Sequence, residues 1–289
     1  MSAERERDKS ERIPSDSIPA VSARLTPVSG LDHLQYSESA AVALLTINRP
    51  AVHNAISLAT MDELDRVFDW LETGSQAGVL VLTGAGARVF VSGGDLKDFE
   101  QLNTYESAVA MSRRMQLLMA RMHQLPLPVI GAINGDCLGG GCEVALATDI
   151  RIVSDTAHFG FKQVTLGITP AWGGRRRLMR LVGRSTALTL LLSGNLIDAA
   201  EALRIGLADR VVPAAAVLPS ALELAHEIAQ NPGMAVRAIK RAINHDDAVD
   251  AEDDIAFEAD LFARTWVSHD HQEALAARKE KRAPNFRGR

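Results

Sequence analysis

The chain has 289 residues, 47% of them hydrophobic and 23% charged, with a formal net charge of −5. That is enough chain for one large domain or two smaller ones, with the composition of an ordinary soluble globular protein. The acidic balance argues against a general nucleic-acid binder, and no apolar run is long enough to span a bilayer.

The first residues, "MSAERERDKSERIPSDSIPA", are charged and rich in Ser and Pro. They lack the apolar core of a signal peptide, so a disordered tail over 1–29 and a cytoplasmic location are expected. Ala41 to Ile47 reads as a buried strand, stopped by Asn48-Arg49-Pro50. Ser57 caps a helix whose apolar residues fall at helical spacing (Met61, Leu64, Val67, Phe68, Leu71). Gly78 to Thr83 is a second buried strand. "VFVSGGDLKDFEQL" gives a strand end, a glycine turn and a helix. Residues Ala108 to Leu125 form a long amphipathic helix ended by "PLP", and Pro128 to Ala132 is a third strand. "DIRIVSD" and "HFGF" are further strands, followed by the loop "PAWGG". From about Leu178 the chain is expected to be almost wholly helical, with breaks at Gly194, Gly206 and Asn231-Pro232-Gly233. The acidic run "DDAVDAEDD" and the basic end "ARKEKRAPNFRGR" read as solvated faces. Short buried strands alternating with helices imply crossover connections and an α/β fold.

The chemistry concentrates in "NGDCLGGGCEVALATD", Asn134 to Asp149. Three glycines are a costly way to start a helix. A helix N-terminus, however, offers unpaired N–H groups and partial positive charge, and bare backbone lets a reacting oxygen approach. A second glycine turn, Ser92-Gly93-Gly94-Asp95, follows a strand in the same way. Two such donors can form an oxyanion hole, although glycine turns before helices also serve purely structural ends. Cys137 and Cys142 read as small buried thiols. No set of soft ligands surrounds them, and no metal is expected.

In order, the chain carries "INRPAVHNAIS", "VFVSGGDLKDF", "AINGDCLGGGCEVALATDIRIVS", "FGFKQVTLGITPAWGGRRRLMRLVG" and "EKRAPNF". This ordered series resembles the enoyl-CoA hydratase/isomerase (crotonase) superfamily from about Gly30 to the C-terminus. The resemblance implies a spiral of ββα units over 30–195 and a helical C-terminal trimerisation region over 196–289. It also implies a homotrimer or a dimer of trimers. The implied ligand is an acyl-CoA thioester, with CoA as part of the substrate and no separate cofactor. Carried over by position, the oxyanion donors would be the N–H groups of Gly94 and Gly140, and Glu143 matches the first of the two hydratase glutamates. Asp95, Leu96 and Lys97 match the segment along the CoA. Lys281 matches a basic residue near the CoA phosphates, supplied within the subunit or to a neighbour.

The chain departs from the pattern at Gln163, where hydratases carry their second glutamate. Gln can orient water but cannot exchange a proton at neutral pH. Trp172 adds bulk to a loop similar to that of ethylmalonyl-CoA decarboxylase relatives, or is a packed aromatic. Asp136 reads as a substitute acid or a turn residue, and His53 as a turn residue beside the CoA path. Hydration of a 2-enoyl-CoA is therefore the leading expectation. Decarboxylation of a short malonyl-type (methylmalonyl or ethylmalonyl) CoA and a catalytically weak acyl-CoA-binding homologue are the alternatives. RNA binding, known for a relative with a lysine-rich helix, finds only Arg113, Arg114 and Arg121 in the corresponding region.

Overall fold

A computed structural model describes residues 28–245 and 251–287, so the expected tail lies outside the described residues apart from its last two positions. Much of the acidic "DDAVDAEDD" run lies outside them as well. The chain opens with strands β1 (Leu34–Ser39) and β2 (Val42–Ile47), then helix α1 (Leu58–Thr73). Ser57 caps α1 as expected: its hydroxyl accepts the Thr60 N–H, and the Thr60 side chain returns a bond to the Ser57 N–H. Next come β3 (Val79–Gly84), β4 (Val89–Val91), the single turn α2 (Leu96–Phe99) and α3 (Tyr105–Gln124). Then follow β5 (Val129–Ile133), β6 (Asp136–Leu138), α4 (Gly140–Leu146), β7 (Ile150–Ser154) and β8 (His158–Gly160). A 3-10 turn (Lys162–Leu166) precedes α5 (Gly174–Ser193), which is broken at Gly183 by a positive-φ backbone that favours glycine (φ 75°, ψ 165°).

The remaining elements are β9 (Leu196–Asp198), α6 (Ala199–Arg204), β10 (Arg210–Val212), α7 (Val217–Ala229), α8 (Gly233–His245), α9 (Ala251–Trp266) and α10 (His269–Glu280). The helical C-terminal region expected from about Leu178 is present, with two three-residue strands set into it. β9 pairs antiparallel with β8 and β10 pairs parallel with β7, so both sheets run past residue 195.

Each turn of the chain gives one strand to each of two sheets. β3, β5 and β7 lie in a six-stranded sheet ordered β1-β2-β3-β5-β7-β10, while β4, β6 and β8 lie in a four-stranded sheet ordered β4-β6-β8-β9. Helices close the turns, which is the spiral of ββα units. The crossings between sheets are tight. A β-carbon at Gly84 would lie 2.3 Å from the Phe90 carbonyl oxygen, and one at Gly135 would lie 2.4 Å from Arg88 backbone. β3 is buried on both faces, as expected for a central parallel strand. Leu80 and Leu82 face the main core with Met61 and Phe68, while Val79 and Val81 face α7 through Ala221 and Ala225.

Arg114 and Arg121 of α3 are spent on α1, where they pair with Asp62, Asp65, Asp69 and Glu72. The C-terminal helices fold back over the chain's own spiral. Tyr105 Oη donates to Asp260 at 2.6 Å, Trp266 Nε1 donates to the Leu102 carbonyl, and His271 Nδ1 lies 2.7 Å from the Leu166 carbonyl oxygen.

Candidate active site

Where the strands of the small sheet end, their loops and the returning helices enclose a cavity of about 590 Å³. Gly94, Asp95, Leu96, Lys97, Gly140, Glu143 and Gln163 all lie on its wall, together with His53 and Trp172. Those expected site residues are brought together. Lys281 is not: it is exposed, caps α10 in a left-handed conformation (φ 55°) and lies off the wall, whereas Arg278, one turn earlier, lines it. Asp136 is likewise absent from the wall. It accepts from the His158 backbone N–H at 2.9 Å and sits 3.1 Å from His158 Nδ1.

The two glycine turns abut. A β-carbon at Gly93 would lie 3.2 Å from the Gly140 nitrogen. Ile56 takes the flanking groups of the first turn: its N–H donates to Gly93 O, and its carbonyl accepts from Asp95 N–H, both at 2.8 Å. The N–H of Gly94 is thereby turned away from that bridge. In the second turn Gly139, at φ 53° and ψ −120°, adopts a backbone that favours glycine, and its N–H is spent on Gly160 O. Gly140 then supplies the first free N–H of α4. Among the described residues neither Gly94 N–H nor Gly140 N–H has a hydrogen-bond acceptor. Arg49 holds the first turn in place, with Nη1 2.9 Å from Asp95 and 2.6 Å from the Ala55 carbonyl oxygen.

Glu143, one turn into α4, is 1% exposed. Its carboxylate meets the N-terminus of α5: Oε1 accepts from Trp172 N–H at 2.8 Å and Gly174 N–H at 2.9 Å. Oε2 accepts from Gln163 Nε2 at 3.0 Å and from Ala171 N–H at a long 3.4 Å. Burial raises the Glu143 pKa above its ordinary 4.5, against the opposing pull of the backbone N–H groups of Gly174, Trp172 and Ala171 and the Gln163 amide. Each oxygen accepts two bonds, and the long one at Oε2 is the weakest of the four. Gln163 is 6% exposed, and its Oε1 has no partner. With one amide N–H on Glu143, its Oε1 is left as an open acceptor.

The loop before α5 is fastened on several sides. Ser112 Oγ donates to the Ala171 carbonyl at 2.8 Å, and Gly173 N–H donates to Glu258 Oε1 of α9 at 2.6 Å. Trp172 is 4% exposed, and its ring fills the space over Gly140, where a β-carbon would lie 2.3 Å from Cζ3. The residues that sequence reading missed come mainly from the returning helices and from α3: Met111, Phe262, Trp266 and Arg278 line the cavity. Lys162 also lines it and ties its Nζ to the Gly194 carbonyl at 2.5 Å. The two thiols are buried, with Cys142 Sγ 3.1 Å from the Cys137 carbonyl oxygen. Among the described residues no group of three His, Cys, Asp or Glu side chains could hold a metal ion.

A family model for enoyl-CoA hydratase/isomerase matches residues 37–289. The short-chain-enoyl-CoA hydratase of Clostridium acetobutylicum is 40% identical over 256 residues, 87% of this chain and 96% of that one. The 2,3-dehydroadipyl-CoA hydratase of Escherichia coli is 36% identical over 259 residues, 90% of this chain and all of the other. Among solved structures, the enoyl-CoA hydratase from Bacillus anthracis superposes with a TM-score of 0.73 at 36% identity, over 89% of this chain and 100% of that one.

Proposed function

This chain belongs to the enoyl-CoA hydratase/isomerase family, and on that premise we propose that it hydrates 2-enoyl-CoA thioesters through Glu143. The observation that carries the reading is the buried Glu143 carboxylate beside two glycine N–H groups that have no acceptor among the described residues, all on one cavity wall. The thioester oxygen is received by the N–H groups of Gly94 and Gly140, which stabilise the negative charge that develops on it. Water adds to C3 of the enoyl group while Glu143 Oε2 takes its proton, and the electron pair of the double bond moves onto the thioester as an enolate. The enolate then collapses and takes the proton back at C2. One water has been added, and Glu143 is again a carboxylate.

Gln163 supports this cycle without joining the proton transfer. Its Nε2 holds Glu143 Oε2, and its unpartnered Oε1 accepts a hydrogen bond from the water. A single carboxylate thus serves as base and then as acid. The exposed cations Lys97 and Arg278 mark the polar mouth for the CoA moiety. Asp95 and Leu96 form the adjoining wall, and Lys281 lies beyond it. We assign the protein to the cytoplasm and to a homotrimer or a dimer of trimers, in keeping with the family resemblance. No helix among the described residues is long and apolar enough to cross a membrane.

Loss of CO₂ from a malonyl-type CoA is the second reading, favoured by the uncharged Gln163. It would produce the same enolate, but Glu143 would face the departing carboxylate with a like charge. The test follows crotonyl-CoA by the absorbance of its conjugated thioester, beside methylmalonyl-CoA assayed for CO₂ release. Rapid absorbance loss without decarboxylation upholds the hydratase reading. Decarboxylation with crotonyl-CoA untouched replaces it.

A further inference from the structure

The cavity wall carries two chemically different sets of residues. Lys97 and Arg278, on its wall, are exposed and mark the entrance. The same wall also carries a buried apolar set, Met111, Ala171, Trp172, Phe262 and Trp266, every one of them no more than 6% exposed. A thioester held at Gly94 and Gly140 with its CoA toward the cations lays its acyl tail along the buried apolar set. Trp172 stands at the thioester site itself, its ring covering the α-carbon of Gly140 as the Phe99 ring covers that of Gly94.

A tryptophan on a pliant loop could swing aside for a longer tail. This one cannot. Its own N–H is held by Glu143 Oε1 at 2.8 Å, the preceding carbonyl by Ser112 Oγ at 2.8 Å, and the following N–H by Glu258 Oε1 at 2.6 Å. The opposite wall is equally fixed. Trp266 packs on Phe262 with ring centroids 5.2 Å apart, on His271 at 4.6 Å and edge-on to Phe99 at 6.4 Å. Displacing a side chain from such a packed set means forced rotamers and backbone shifts.

We propose that Trp172 is the chain-length stop of the acyl pocket and confines the protein to short-chain acyl-CoA esters. The inference rests on the acyl-CoA reading of the site, and it needs no turnover to be tested. The affinities of saturated butanoyl-, hexanoyl- and decanoyl-CoA are measured by calorimetry on the wild type, Trp172→Ala and Trp172→Leu, with melting curves to show that each variant is folded. The wild type is expected to bind decanoyl-CoA more weakly than hexanoyl-CoA. Each methylene newly accommodated in an apolar pocket strengthens binding about fourfold. The ratio of decanoyl to butanoyl affinity should therefore rise at least about tenfold in Trp172→Ala, and by less in Trp172→Leu.

Binding of decanoyl-CoA at least as tight as that of hexanoyl-CoA by the wild type would overturn the proposal without any variant. So would an unchanged ratio in a folded variant. A protein that shows the chain-length stop yet leaves crotonyl-CoA unhydrated refutes the hydratase reading alone. One that hydrates crotonyl-CoA with a flat length profile refutes the stop alone.

Discussion

Replacing Gln163 by glutamate restores the second carboxylate at a position whose Nε2 now lies 3.0 Å from Glu143 Oε2. Two negative charges at that separation, at an effective dielectric constant of about 20, repel by about 5 kcal/mol. A repulsion of that size pushes one of the two titrations well up, so the pair holds a single proton at neutral pH. That shared proton is the one the present site lacks. Glu143 could then take a proton from water while its partner delivers another to C2, instead of one group doing both in turn. General acid–base participation is typically worth about 10² to 10⁴ in rate. Gln163→Glu is therefore expected to raise kcat on crotonyl-CoA by at least about tenfold and to add an alkaline limb to the pH profile. It should also lower Tm, because a second acid is buried. The assay is absorbance loss from crotonyl-CoA across the neutral pH range, with butanoyl-CoA affinity as a check on site integrity. An unchanged or reduced kcat with affinity retained would refute the reasoning that Gln163 limits proton transfer.

The Glu143 carboxyl has its pKa raised by burial above the ordinary 4.5, so the base form appears only above the usual carboxylate range. kcat/KM should fall on the acid side through a midpoint above that value, as a pH–rate profile would show. By the same shift, the protonated form is the one the fold favours: that stability is full below pH 4.5 and is lost as pH rises through the raised pKa. The Tm advantage of Glu143→Gln over wild type should accordingly grow with pH, read from melting curves on both sides of that range. Gly140→Ala would set a β-carbon 2.3 Å from the Trp172 ring; overpacking of this kind costs about 1 to 3 kcal/mol, and chemical denaturation should report it beside a loss of activity. Ser112→Ala strands the buried Ala171 carbonyl and should cost about 1 to 3 kcal/mol in the same measurement.

Much of the site was legible because its residues sit in local patterns. The glycine turns, Glu143 and Gln163 occupy fixed places relative to strand ends, and the chain order alone brings them together. Long buried strands such as β3 and β5 were legible as continuous apolar runs. The three-residue strands β6, β9 and β10 were not: unlike β4 and β8 they have no aromatic to mark them, and their pairing is set by distant partners. The aromatic wall was hidden for a related reason. Phe262 and Trp266 look like ordinary apolar positions of an amphipathic helix, and only the fold-back of α9 onto α3 turns them toward the cavity. Glu258 was equally silent: in "AEDDIAFEAD" nothing marks it as the acid that meets the N-terminus of α5.

Glu143→Gln on crotonyl-CoA, with butanoyl-CoA affinity measured in parallel, probes the central claim most directly. The substitution keeps a carbonyl oxygen for the Trp172 and Gly174 N–H groups but cannot accept or return a proton. If Glu143 carries the proton, kcat/KM falls by about 10² to 10⁴ while the saturated ester still binds. Hydration that survives within about tenfold, with binding unchanged, would contradict the account.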